Sequence, residues 1–340
     1  QPAPPAASRP PFAALPGWAG DDHLEAFWAW RGACRVARDP DYAAACAAAR
    51  SAQVADGDEA RRYFETWFTP VAADGEGLLT SYFAPEYEAR SEPDSEFSAA
   101  VMGPPPDLVR TEGPDGRPLY RRRGPDGALE PYAPRAEIEA RGGRPLAWMR
   151  PEDLFFMQIQ GSGYLSFPGG GRARAAYAAD NGLPFTGIAR PMAERGLLPR
   201  NGASGEAIRR WLAEHRGPEA RAVTDLNPRY VFFALQPDDG GDPAGAAGVP
   251  LTAGRSIAVD PAHWRMGDLV FLSAEAGNLT GARRGYRGLA VALDTGGAIR
   301  GPVRADYYMG RGARAGDEAG TVRHPLRMWR LQPRVVRAGD

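Results

Sequence analysis

Apolar positions follow two different periods along the chain, and the change falls near residue 77. Over residues 22–38, Leu24, Phe27, Trp28 and Cys34 fall on one side of a helix. Asp39 and Pro40 then read as N-cap and first position of a second helix, which holds Cys46. Ala60, Tyr63, Phe64, Trp67 and Phe68 repeat the 3.6-residue period. After Gly77 the apolar runs are short and cut by Gly and Pro. Two Gly-Pro-Asp-Gly turns, at 113–116 and 124–127, bracket residues 117–123 and predict a β-meander. One more helix is clear: Ser204 caps it, Ala207, Ile208, Trp211, Leu212 and His215 form its stripe, and Gly217-Pro218 ends it. Residues 237–250 (PDDGGDPAGAAGVP) have no period and read as a flexible crossing between units. Four strand-like runs follow, at 256–259, 269–272, 289–293 and 328–331, and predict a small barrel.

Composition narrows the function without choosing it. The 340 residues suit about two domains, and 43% are apolar. No Lys occurs, so all 41 basic residues are Arg, and they nearly balance 42 acids. A net charge of −1 offers no field for nucleic acid or for an anionic membrane. No run of 18 apolar residues predicts a membrane span. The chain opens at Gln1 with a Pro/Ala-rich stretch to Pro16. That reads as the remainder of a cleaved export signal, with residues 1–20 disordered; a truncated chain would look the same.

Cys34 lies five residues before the 39–40 corner and Cys46 follows it, so a helical hairpin would bring them face to face. In an oxidising compartment we expect a disulfide; the alternative is two small buried thiols. The spacing of Cys and His suits no metal site. Gly310, Gly312 and Gly316 lack the spacing of a phosphate loop, so no nucleotide is expected.

Three aspartates stand where chemistry is plausible. Asp260 follows a strand in SIAVDP, Asp294 follows another in LAVALDTGGAIRG, and Asp306 lies in RADYYMG. A carboxylate at a barrel rim loses solvent, and clustered carboxylates repel; both effects keep one protonated, as a general acid requires. Alone they are weak signals, because Asp after a strand commonly forms a turn.

The order AVDP, DTGGAIRG and a third Asp about a dozen residues on resembles the 3D domain, named for three shared aspartates. Upstream, LLTSYFAPEYEAR, FFMQIQGSGYLSF, YAADNGLPFTGIA and NPRYVFFALQ resemble the membrane-bound lytic murein transglycosylase A family. The resemblance covers residues 77–332. It implies a mainly β fold: a double-psi β-barrel built from the N-terminal part and residues 251–340, and a β-domain inserted at 85–236. A substrate groove would lie between them, with the helical part (21–84) packed on the barrel and 237–250 as linker.

It also implies a peptidoglycan lytic transglycosylase that needs no cofactor or metal. Asp306 would be the acid and base, and Asp294 its electrostatic partner. Asp260 divides evenly between support and strand-end structure. The glycan would meet Gln160, Asn181, Gln158 and Ser162, and less certainly Thr80; Tyr82 and Phe83 would stack on sugars or fill the core. Gln158 and Gln160, alternating with Met157 and Ile159, suit a strand showing amides on one face. The family context further implies a periplasmic monomer, associated with the outer membrane or cell-wall machinery. Two other readings remain open: a hydrolase with Asp294 as base and water as nucleophile, and a non-catalytic peptidoglycan binder.

Overall fold

Helices begin where a short polar side chain satisfies the free N–H groups of a first turn. Asp22 accepts from the Glu25 N–H at 3.0 Å, Asp56 from Glu59 at 2.9 Å, and Ser204 from Ala207 at 3.1 Å. The computed structural model describes residues 11–113, 118–199, 204–279, 281–282 and 284–334. In chain order, α1 (His23–Ala33), α2 (Ala43–Ser51) and α3 (Gly57–Trp67) lead into β1 (Phe68–Ala72) and β2 (Gly77–Ala84). Next come β3 (Glu86–Glu88), β4 (Ala99–Met102), β5 (Leu108–Glu112), β6 (Pro118–Arg123) and β7 (Leu129–Pro131). Then follow α4 (Arg135–Arg141), β8 (Pro145–Met149), α5 (Pro151–Gln160), β9 (Gly163–Ser166) and β10 (Arg172–Asp180). After α6 (Ala189–Glu194), α7 (Gly205–Glu214), α8 (Pro218–Thr224) and β11 (Val231–Pro237), the chain enters its last third. There lie β12 (Ser256–Val259), β13 (Leu269–Ala274), β14 (Tyr286–Thr295), β15 (Arg304–Arg311), α9 (Gly312–Ala319) and β16 (Arg323–Pro333).

The chain divides into two units. The first takes residues up to Ala84 and from Gly241 onward; the second is Pro85–Gly240. In the first, six strands close a barrel in the order β2-β15-β12-β14-β13-β16, and β16 returns to pair with β2. Leu79, Ile257, Val270, Ala292, Ala305 and Met328 are among the residues that fill it. Every residue of β13 is buried, because its two faces meet different partners. Val270 and Leu272 point into the barrel. Phe271 meets Trp18 at 5.6 Å and Trp329 at 5.9 Å on the other side, under the helical layer. That double burial is why the strand reads as an unbroken apolar run.

Arg255 ties the N-terminal segment to the barrel. Its buried guanidinium pairs with Asp21 at 2.8 Å and Glu25 at 2.9 Å, and donates to the carbonyls of Asp22 and Leu289. Cys34 and Cys46 form a disulfide between α1 and α2, with Cα atoms 5.5 Å apart.

The second unit holds a four-stranded sheet, β11-β10-β9-β3, a β4–β8 pair and the meander β5-β6-β7. Among the described residues it also carries five helices, so it is less purely β than the expected β-domain. Among the described residues no helix is long and apolar enough to cross a membrane.

Several expectations need correction. Residues 1–10 lie outside the described residues, but 11–20 are ordered by burial of Phe12, Leu15 and Trp18. Trp28 is 48% exposed, and Trp30 takes its expected place in the core. Gln158 and Gln160 lie on helix α5, not a strand. Pro151 at its first position, Glu152 and Asp153 in its first turn, and Gly161 (φ 85°) after its end outweigh a four-residue alternation. Pro218, read as a terminator, instead starts α8. In the 237–250 segment, residues 244–250 lie on the barrel: Ala247 donates to the Leu293 carbonyl at 3.0 Å, and Val249 is buried.

Truncating Arg255 leaves Asp21 buried without its partner. Arg255→Ala should lower unfolding stability by about 3–5 kcal/mol, read from urea denaturation followed by Trp fluorescence.

Candidate active site

Cross-strand partners in a sheet point to the same face, so register decides which side chains meet. Asp306 on β15 is the register partner of Thr80 on β2. On its other side it pairs with Ala258 of β12. Strand β14 runs beside β12 in parallel, and strict alternation would set Leu293 opposite Ala258. The register instead shifts by one: Ile257 pairs with Ala292, and Ala258 with Asp294. Leu293 is the extra residue of a β-bulge, a device that re-aims a side chain. The result is one row across four strands: Thr80, Asp306, Ala258 and Asp294. Ala292 points into the barrel core, and the bulge is what turns Asp294 to the face of Asp306.

The two carboxylates are held differently. Both oxygens of Asp294 are occupied. Oδ1 accepts the N–H groups of Ala246 and Thr295, each at 2.9 Å, and Oδ2 accepts the Tyr82 hydroxyl at 2.8 Å. Ala246 reaches it because Gly245 lies against the Leu293 carbonyl, where a Cβ would come within 2.4 Å. Asp306 has one donor, the Thr80 hydroxyl at 2.5 Å to Oδ1. Burial pushes its pKa above the usual carboxylate range; the Thr80 hydrogen bond and the Arg304 charge oppose this, and the Asp294 charge adds to it. Among the described residues no donor reaches Oδ2 of Asp306. The pair therefore combines a carboxylate whose two oxygens are both hydrogen-bonded with a carboxyl whose pKa is raised, the direction a general acid needs.

Tyr82 holds Asp294 through its hydroxyl. Its ring lies 5.4 Å from that of Tyr308, whose hydroxyl donates to Asp242 at 2.7 Å. Burial and the Asp294 charge push the Tyr82 phenol pKa far upward, so it stays a donor.

The remaining expected site residues separate by environment. Asp260 is buried and serves the turns after β12 and β14: Oδ1 accepts the Ala262 N–H at 3.1 Å and Oδ2 the Gly301 N–H at 2.7 Å. Those backbone donors hold its carboxyl below the usual range. Gln158 is buried, donating to the Val231 carbonyl and accepting from Arg135 at 2.6 Å. Asn181 is fully buried; its amide donates to the carbonyls of Ala133 and Pro228 and accepts from the Tyr230 N–H. The sugar contacts expected of Gln158 and Asn181 thus give way to internal hydrogen bonds, since these amides satisfy backbone groups of their own unit. Gln160 ends α5 exposed, and Ser162 follows half-buried. Phe83 packs against Gly316 of α9, where a Cβ would lie 2.8 Å from its ring.

Sequence reading missed the roles of Tyr82 and Ala258. Thr80 and Tyr82 stand two apart on one strand and so share a face, which was a usable signal. Nothing local marked Ala258 or the bulge.

Family models match both parts of the chain: the MltA specific insert domain over residues 78–234 and the 3D domain over 255–332. The membrane-bound lytic murein transglycosylase A of Vibrio cholerae is 33% identical over 263 residues, 76% of this chain. The chain spans 66% of that relative's length. The crystal structure of a membrane-bound lytic murein transglycosylase from Agrobacterium tumefaciens is 34% identical and matches with a TM-score of 0.74, over 96% of this chain and 97% of that one. MltA from Neisseria gonorrhoeae matches with a TM-score of 0.82 at 26% identity, over 98% and 93%. MltA from E. coli with bound chitohexaose matches at 0.65 and 28%, over 97% and 92%.

The Thr80 hydroxyl favours the charged form of Asp306, so its removal should raise the Asp306 pKa further. In Thr80→Val, the midpoint of a ¹³C NMR titration of the Asp306 carboxyl should move upward. An unchanged or lower value would contradict the assigned contact.

Proposed function

Because the chain belongs to the membrane-bound lytic murein transglycosylase A family, we propose that it cleaves peptidoglycan between N-acetylmuramic acid and N-acetylglucosamine. The product end is 1,6-anhydromuramoyl. The supporting observation is the asymmetry of the aspartate pair: among the described residues Asp306 has one oxygen without a donor and a pKa raised by burial, whereas both oxygens of Asp294 are occupied. Asp306 donates its proton to the glycosidic oxygen as the bond to the muramic carbon breaks. The muramic 6-hydroxyl then attacks that carbon, and Asp306 takes back the hydroxyl proton as the ring closes. The tethered nucleophile supplies proximity that a second catalytic carboxylate would otherwise replace. Asp294 stabilises the positive charge that develops at the sugar ring. Thr80 and Tyr82 act as positioning residues, each holding one carboxylate.

The hydrolase reading requires Asp294 to take a proton from water. Three donors already take most of the roughly four acceptor positions of its carboxylate, which leaves little room for a water to dock. The transglycosylase reading is favoured on that ground. The oligosaccharide bound by the E. coli relative supports a glycan-strand substrate. We read the barrel as the double-psi type, on its parallel β2–β15 and β12–β14 pairs. The disulfide supports an oxidising, periplasmic location. In this reading the protein works as a monomer on the cell wall.

Mass spectrometry of digests of purified peptidoglycan tests the assignment. Asp306→Asn should lower release of anhydromuramoyl products by about 10²–10⁴-fold, the range for a lost general acid. Near-normal release by that variant would reject Asp306 as the acid.

A further inference from the structure

The second unit contains a cavity of about 570 Å³ that none of the aspartate row lines. Its volume is in the range of small-ligand sites. Trp148, Phe155 and Tyr230 give it aromatic walls, and Arg135, Glu139, Arg221 and Glu152, the last paired with Arg216, give it charge.

The charges are unequally occupied. Arg135 is 2% exposed and committed to the fold. It donates to the carbonyls of Asn227 (3.1 Å) and Arg229 (2.7 Å), to Gln158 Oε1 (2.6 Å) and to Glu139 Oε1 (3.2 Å). Its guanidinium also lies over Phe155 and Tyr230, at 5.1 and 5.3 Å. Glu139 has its other oxygen, Oε2, without a hydrogen bond among the described residues. Arg221, exposed on α8, forms no ion pair among the described residues. Asp225, directly after the lining residue Thr224, has a buried Oδ1 with no hydrogen-bond partner. A buried acceptor of that kind costs free energy until a donor reaches it. Burial pushes both Glu139 and Asp225 upward in pKa, with Arg135 the first charge to oppose it in each case.

Arg221, within electrostatic reach of Glu139 and Asp225 but without an ion pair among the described residues, stands with the open Glu139 Oε2 and an aromatic wall, a set that complements a ligand with carboxylate and N–H groups together. We propose that this cavity binds a short peptide bearing free carboxylates and an amine, the chemistry of the peptides attached to peptidoglycan strands. The ligand's source rests on the proposed function; its chemistry rests on the cavity alone. The carboxylate pairs with Arg221, and the N–H donors reach Glu139.

The test is calorimetric titration of the full chain carrying Asp306→Asn, first with amidase-released stem peptides and then with peptide-free glycan oligosaccharides. Binding is read without turnover, so a failure of the proposed catalysis would not hide it. Saturable peptide binding is expected, weakened at least about tenfold by Arg221→Glu, as loss of a charged hydrogen bond predicts. Arg190→Glu, the same charge reversal on exposed α6, should leave peptide affinity unchanged. Absence of saturable peptide binding would overturn the proposal. So would peptide binding indifferent to Arg221→Glu, or a variant that weakens glycan binding and not peptide binding.

Discussion

A strand shows each side chain to one face or the other, and a one-residue slip reverses the choice. The candidate chemistry depends on one such slip. Without the bulge at Leu293, Asp294 would share the inward parity of Ala292 and lie away from Asp306. With it, Thr80, Asp306, Ala258 and Asp294 make one row, with the smallest side chain between the carboxylates. Neighbouring strands lie about 4.8 Å apart, so the backbones of the two aspartates are roughly 10 Å apart. That spacing leaves room above Ala258 and lets charge be felt without direct contact.

The surroundings keep the row in place. Gly245 lets the returning chain lie on the Leu293 carbonyl, which brings the Ala246 N–H to Asp294. Arg255 joins the N-terminal segment to β14 through Asp21 and the Leu289 carbonyl, a few residues before the bulge. Asp260, first of the three aspartates, secures the turn through Gly301 that leads into β15.

Much of this was legible in residue order. The strands at 256–259 and 269–272, the cap at Ser204 and the corner at Asp39-Pro40 followed from local patterns that tertiary packing did not override. Asp260 and Asp294 were visible as acids closing apolar runs, whereas Asp306, inside β15, was singled out by the family resemblance. Gln158 was misread because amides alternating with Met157 and Ile159 resemble a strand, whereas the signals at Pro151 and Gly161 bound a helix. Asn181 resembled a surface amide beside a glycine, yet it is fully buried and satisfies backbone groups from separate segments. The bulge left no local mark: Leu293 is an ordinary apolar residue in an apolar run, and only the pairing with β12 shows that it is extra.

The central claim is that the sugar's own hydroxyl, and not water, closes the reaction that Asp306 opens. Digestion of peptidoglycan in H₂¹⁸O measures this most directly. The account predicts anhydromuramoyl ends without ¹⁸O at the muramic carbon. Reducing ends that carry ¹⁸O would contradict it and make the protein a hydrolase.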